Sequence, residues 1–283
     1  MIDLHTHSLH SDGTETPRQL VERAKAAQLT LFAIADHDTT AGLEEAVNAA
    51  DALHVAFIPA LELTVDLHGR HAHLLGYGIN LQYNELLNAL LWRQEGRRVQ
   101  FREKVRLANK RLNADHKGEL DAEALLKEIK GIPGRPHIAR AIVAMGWEQK
   151  FRPAFDKYLI DYIPETVAFK PAHAIELIHR AGGIASLAHP GSDEIGLGRF
   201  AKTAQEVRAA LKELIAQGMD GIEVWTPAHT FKMRAFYEKM AEELHLIITG
   251  GTDWHGPSFD APAPGIFEIP DTVAEGIRSK LKM

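Results

Sequence analysis

Leu31-Phe32-Ala33-Ile34-Ala35-Asp36-His37-Asp38 decides the fold: five apolar residues, too few for a helix, run directly into three side chains that can hold a proton or a metal. A buried strand of a parallel sheet has this pattern, with its chemistry at the C-terminal end. Upstream, residues 1–4 form a first strand, and Thr16-Pro17 supplies an N-cap and an N1 proline for a helix to about residue 28, with Leu20, Val21, Ala24 and Ala27 on one face. Downstream, 42–53 is helical in pattern, 55–61 is a strand, and His68-Gly69 joins 63–67 to 71–77 as a hairpin. From about 83 to 161 the pattern is helical throughout, with helices at 83–113, 121–130, 136–145 and 148–159. Alternation then resumes: helices at 172–181, 203–217 and 231–245 separate strands at 184–188, 221–225 and 246–249. This order predicts an α/β fold whose parallel sheet is closed rather than open. The barrel is expected from residues 1–80 and 165–283, with 81–164 as a helical insertion.

Composition narrows the chemistry. With 283 residues, 45% hydrophobic and 25% charged, the chain has an ordinary globular makeup, which excludes a disordered or fibrous protein. There is no cysteine, so thiolate nucleophiles, disulfide scaffolds, cysteine zinc sites and iron-sulfur clusters are all excluded. Any metal must take nitrogen and oxygen ligands, and the sixteen histidines are the natural source. The opening MIDLHTHSLH has no basic and apolar leader pattern, and no long uncharged apolar run follows. The expectation is a cytoplasmic protein with no membrane contact and no obligate protein partner.

The acids and imidazoles gather at strand ends. His5 and His7 are two apart, so alternation puts both on one face. Asp12 follows in a turn, His37 ends the second strand, Glu62 the third, and His73 lies on the return strand of the hairpin. His189-Pro190 and Asp253-Trp254-His255 end two later strands. His71 shares the face of His73, and Asp36 and Asp38 flank His37 as candidates to orient its ring.

These motifs resemble the polymerase and histidinol phosphatase (PHP) superfamily of metal-dependent phosphoesterases. The matches are His5-Thr6-His7 with Ser11-Asp12-Gly13, Ala35-Asp36-His37-Asp38, Glu62, His73 before Leu75-Gly76-Tyr77, His189-Pro190 and Thr252-Asp253-Trp254-His255. The resemblance implies a distorted (β/α) barrel with the helical insertion as a substrate cap. It also implies three divalent ions, Mn first, with Zn or Fe as alternatives. Carried over, one ion is held by His5, His7, Glu62 and Asp253, a second by Glu62, His73 and His189, and a third by Asp12, His37 and His255. Asp12, His37 and His255 then also meet the substrate. The insertion, with Gly134-Arg135-Pro136-His137-Ile138-Ala139-Arg140, resembles the subgroup that removes the 3'-phosphate of nucleoside 3',5'-bisphosphates and trims short RNA from its 5' end. The implied partners are therefore a small nucleotide and short RNA. A histidinol-phosphate or general phosphomonoesterase shares the ligands and differs in the cap; a metal-binding module without turnover is a further alternative, disfavoured by the complete ligand set.

The insertion adds a charge signal of its own. Between residues 93 and 111, eight basic residues (Arg93, Arg97, Arg98, Arg102, Lys104, Arg106, Lys110, Arg111) face only Glu95 and Glu103, on a chain of net charge −6. Such a patch recruits anions. Arg97, Arg98 and Arg135 are the candidates for a phosphate away from the reacting one, with Lys170 and Arg199 behind them.

Overall fold

The structure, a computed structural model, describes residues 1–160, 168–193, 195–257 and 261–283, without the side chain of Arg199. The expected boundary between 164 and 165 lies outside the described residues. Thr16 caps α1 (Pro17–Ala26) through a capping box with Gln19, and Pro17 opens the helix, as its fixed φ favours. The next elements are β2 (Leu31–Ile34) after β1 (Ile2–Asp3), then α2 (Leu43–Leu53), β3 (Phe57–Leu67) and β4 (Arg70–Tyr77). β3 is one continuous strand of eleven residues, where the sequence suggested two. At its turn His68 and Gly69 both have positive φ, +54° and +74°, the pairing that a tight two-residue hairpin requires.

Four helices follow: α3 (Asn84–Ala114), α4 (Ala122–Glu128), α5 (Arg135–Ala144) and α6 (Phe151–Tyr158). Then α7 (Pro171–Arg180), β5 (Ile184–Leu187), a 3-10 turn at Leu197–Arg199, α8 (Ala204–Ala216), β6 (Gly221–Trp225), α9 (Phe231–Leu244), β7 (Ile247–Gly250) and α10 (Asp271–Leu281) complete the chain. The seven strands pair in sequence order. Pairing is parallel except around β4, which is antiparallel to both β3 and β5, so the sheet is mixed rather than all parallel. The hairpin forces this, because a two-residue connection can only reverse the chain. Closure comes from Leu4 N to Gly250 O (3.1 Å), Asp253 N to His5 O (2.8 Å) and His7 N to Trp254 O (2.8 Å). The result is a nearly closed, distorted α/β barrel.

Strand alternation places the site. Ile58 and Ala60 of β3, with Leu75 and Tyr77 of β4, belong to an apolar cluster that α10 completes with Val273, Ala274 and Ile277. The period of two carries the same face of β3 on to Glu62 and Thr64, and that of β4 back to His73. The opposite faces, Leu61, Leu63 and Val65 with Ala72 and Leu74, pack on helices in a second cluster. A third cluster ties the C-terminal half of α3, through Phe101, Val105, Ala108 and Leu112, to Leu126, Ile138, Ile142 and Ala154 of the next three helices. Among the described residues no helix is long and apolar enough to cross a membrane.

The N-terminal half of α3 is bolted to the barrel by charge. Asp38 is fully buried and lies 3.2 Å from Arg93 Nε and 2.8 Å from Arg97 Nε, while Gln94 donates to its carbonyl at 3.1 Å. Burial alone would raise the Asp38 pKa, but Arg93 and Arg97 hold it below the usual carboxylate range. Breaking a buried pair strands the remaining charge. Arg93→Ala is therefore expected to lower unfolding stability by about 3 kcal/mol, read as a reduced denaturant midpoint; an unchanged midpoint would show that the pair does not anchor the helix.

Candidate active site

Glu62 stands at the centre of the strand ends, with no exposed surface. Its Oε1 lies 2.8 Å from His73 Nδ1 and 3.1 Å from His189 Nε2. Its Oε2 lies 2.9 Å from His37 Nδ1 and 3.3 Å from Nε2 of both His5 and His7. Asp253 Oδ1 approaches the same two rings at 3.4 and 3.1 Å, and His255 Nε2 faces Asp12 Oδ1 at 3.3 Å. Rings of His7 and His255 stack with centroids 4.1 Å apart, and His37 sits 4.5 Å from His7 and 4.9 Å from His73.

Ligand-type atoms thus fall into three groups, each within 4.8 Å: His5, His7, Glu62 and Asp253; His7, Asp12, His37 and His255; and His37, Glu62 and His73. All nine expected positions come together. The grouping differs in two respects: His37 and His7 are each shared between groups, and His189 belongs to none of the three, its Nε2 reaching Glu62 Oε1 instead. The site also fits cations chemically. His5 Nε2, His7 Nε2, His37 Nδ1, Asp12 Oδ1 and Glu62 Oε2 are buried without a hydrogen-bond partner, a condition that costs each group about 1–3 kcal/mol unless something else satisfies it. An all-nitrogen-and-oxygen set rich in imidazole and carboxylate suits Mn, Fe or Zn.

Electrostatics point the same way. Burial opposes the charge on Glu62, yet His73, His37 and His5 keep its pKa well below the carboxylate range. Burial likewise opposes a charged His7, but Asp253 and Glu62 outweigh it and hold the ring up at about 10. His73 goes the other way, pushed down to about 4 by burial. Carboxylate fields strong enough to keep a proton on a buried ring also attract a cation.

Above these residues opens a cavity of about 690 Å³, lined by Asp12, His37, His73, His189, Asp253 and His255 together with Arg97, Lys104, Arg135 and Arg152. Arg97 is fixed from behind by Asp38 and by Thr64 Oγ1, 2.8 Å from its Nη2. Arg135 lies 4.8 Å over the Phe155 ring. A Cβ on Gly134 would stand 3.3 Å from Asp12 Oδ2, so a residue without a side chain lets α5 begin against the acidic cluster. His137 is not at the surface of this cavity; burial pushes its pKa down to about 4, and its Nδ1 accepts from Gly134 N at 3.2 Å. Arg98 is exposed on α3 away from the cavity, and Lys170 is exposed and paired with Asp66. The Arg199 side chain lies outside the described residues.

The PHP domain model matches residues 3–159. A 5'-3' exoribonuclease of Haemophilus influenzae is 33% identical over 90% of this chain and 90% of its own length. The chain belongs to the PHP family of phosphoesterases. A 3',5'-nucleoside bisphosphate phosphatase of Chromobacterium violaceum is also 33% identical, over 90% of this chain and 87% of that protein. Among solved structures, a putative metal-dependent phosphoesterase from Bifidobacterium adolescentis superposes with a TM-score of 0.84 at 29% identity, covering 99% of this chain and 96% of that one. An amidohydrolase from Chromobacterium violaceum with bound sulfate gives 0.78 at 29%, covering 97% and 96%.

Several supports of this PHP centre escaped the sequence reading. Asp36 does not orient the His37 ring: its carboxylate accepts from Ser8 N (2.7 Å), Ser8 Oγ (2.5 Å) and Ser11 Oγ (2.6 Å), holding the loop that carries Asp12. Asp38 serves the α3 arginines instead of the ring. Both acids are neighbours of His37: extended backbone turns Asp36 away from the ring, and Asp38 sits in a turn with a φ of +50°, which aims its carboxylate at α3. The carboxylate that does orient an imidazole is Glu223 on β6. It is fully buried, its Oε1 accepts from His5 Nδ1 at 3.0 Å, and its Oε2 accepts from His189 N at 2.7 Å. That contact also pins His189, whose φ of +26° is strained for a side-chain-bearing residue. Burial pushes the neighbouring Asp3 up to about 7, even though Thr252 donates to it. A Cβ on Gly251 would come within 2.2 Å of His5 Cβ, so only glycine lets the end of β7 lie against the His5 strand. Partners that orient a ligand ring are typically worth 10–100-fold in metal affinity. Glu223→Gln, which keeps shape but loses charge, is expected to weaken Mn binding by about 10-fold or more in calorimetric titration with the fold intact; unchanged affinity would remove Glu223 from the centre.

Proposed function

We propose that this chain removes the 3'-phosphate of nucleoside 3',5'-bisphosphates, such as adenosine 3',5'-bisphosphate, and trims short 5'-phosphorylated RNA from its 5' end. The observation that carries the reading is a cavity whose lining combines the acid-and-imidazole cluster with Arg97, Lys104, Arg135 and Arg152. One phosphate suits the cluster and the other the basic side chains. The names of the two relatives at 33% identity, a bisphosphate phosphatase and an exoribonuclease, support the same substrate class.

In this reading three divalent ions, Mn first, occupy the floor. His5, His7, Glu62 and Asp253 hold one, Asp12, His37 and His255 another, and His73 and His189 a third together with Glu62. Bound there, such ions supply a nucleophilic hydroxide at neutral pH, neutralise charge on the phosphate and stabilise the departing alkoxide. The protein's share is positioning. Nδ1 of His255 donates to the Asp253 carbonyl at 2.7 Å, which fixes the tautomer and turns Nε2 towards Asp12 and the reacting phosphate. Asp12, His37 and His255 line the cavity and meet that phosphate. Arg97, locked by Asp38 and Thr64, and Arg135, held over Phe155, grip the far phosphate without first losing much side-chain freedom. Helices α3 to α6 act as the cap. Arg98 and Lys170 have no part in it.

Two tests follow from the division of labour. Chelation should abolish phosphate release and added Mn restore it; full activity in EDTA would refute the metal reading. A charge-assisted contact is worth about 1.5–3 kcal/mol, so Arg135→Ala should cut kcat/KM on a nucleoside 3',5'-bisphosphate by ~10 to 150-fold. On the matching 3'-monophosphate the loss should be small, and equal losses on both would favour a general phosphomonoesterase.

A further inference from the structure

A second groove, of about 700 Å³, lies between the C-terminal half of α5 and the start of α6. It is bordered by Arg140, Val143, Gln149, Lys150, Phe151 and Arg152, and no carboxylate is among its lining residues. Phe151 and Arg152 also border the catalytic cavity, so the two spaces meet at these side chains. Arg140 links them again: its guanidinium donates to the carbonyl of Asp12, a member of the acidic floor. Arg152 pairs with Asp156 at 2.9 Å, one turn further along α6, and its charge stays on the rim shared by the two spaces. On a chain of net charge −6, the groove gathers three cations, Arg140, Lys150 and Arg152, the last of them paired with Asp156.

We propose that this groove is the path taken by the third and fourth nucleotides of a single-stranded oligonucleotide whose 5' end lies in the catalytic cavity. The proposal rests on the exoribonuclease half of the function proposed above. A phosphodiester cleaved over the metal floor must send its 3' continuation out of the cavity, and the Phe151–Arg152 rim opens onto a basic space of matching size. Both volumes lie within the ~300–1,000 Å³ range that holds a compact organic ligand, so in series they take more than one nucleotide. The chemistry fits as well: an aromatic ring, Phe151, stands among the cations Arg140, Lys150 and Arg152, the side-chain types that bind single strands through base stacking and phosphate contacts. A protein partner with an acidic segment would match the charges but has no reason to start at the catalytic rim.

Lys150 and Ala144 border only the outer groove and are exposed, which makes Lys150→Glu and Ala144→Glu well-tolerated probes. The readout is binding of fluorescein-labelled, 5'-phosphorylated oligoribonucleotides of two to five residues, with non-cleavable phosphorothioate linkages, by anisotropy. Wild-type affinity should tighten by about 10-fold from the dimer to the tetramer. Its salt dependence over that interval should steepen by one to two released counterions, at about 0.7 per phosphate contact. Either variant should abolish this gain, leave dimer affinity within about two-fold, and hydrolyse the mononucleoside bisphosphate at the wild-type rate. A gain retained in both variants, or no gain in the wild type, would overturn the proposal. Loss of bisphosphate hydrolysis by the wild type would instead overturn the catalytic reading, and the two failures are separately visible.

Discussion

A carboxylate with no exposed surface, surrounded by five imidazole nitrogens within 3.3 Å, is the constraint on which the rest of this molecule depends. Taking the Glu62 charge out of water without compensation would be prohibitive. The compensation must come from several strands at once, because no single strand can bring five rings to one atom pair. His5 and His7 arrive from the end of β1, His37 from the end of β2, His73 from β4 and His189 from the end of β5. Barrel closure is what makes them converge. The hydrogen bonds joining the first strand to the last, from His7 N to Trp254 O and from Asp253 N to His5 O, run through the candidate ligand residues themselves. Fold closure and site assembly are the same event.

The antiparallel β4 follows from that requirement. A crossover helix after β3 would have put the next strand parallel, with its C-terminal end at the floor; the hairpin brings the strand back from the opposite direction, so its early residue His73 meets Glu62 while its later residues Leu75 and Tyr77 fill the apolar base. The buried charges beyond the floor serve the same end. Asp36 fixes the loop bearing Asp12, Glu223 fixes the His5 ring and the His189 backbone, and Asp38 fixes the arginines of α3 beside the cavity. Each of these acids is buried and hydrogen-bonded, the only state in which a buried charge is tolerable.

Much of this was legible because strand ends are marked in sequence by a change from apolar to metal-capable residues, as at Ala35-Asp36-His37 and at His5-Thr6-His7. The hairpin showed itself in His68-Gly69, and α1 in Thr16-Pro17. Glu223 did not show itself, because it lies within Gly221-Ile222-Glu223-Val224-Trp225 rather than after it. Its signal was a lone acid inside an apolar strand, which demands a buried partner. The helix α10 also passed unread, although Val273, Ala274 and Ile277 carry helical spacing. The direction of a side chain between two ligands was the harder problem. Asp36 and Asp38 stand next to His37 in sequence, yet the partners they hold come from the β1 loop and from α3, contacts that only tertiary structure makes.

The central claim is that Glu62 is the shared carboxylate of a multi-ion centre. Anomalous diffraction at the Mn absorption edge, from crystals grown with Mn, tests it most directly. The account predicts separate Mn peaks on both oxygens of Glu62, with a further peak between Asp12, His37 and His255. A single ion that does not touch Glu62, or Mn bound only outside these strand ends, would contradict it.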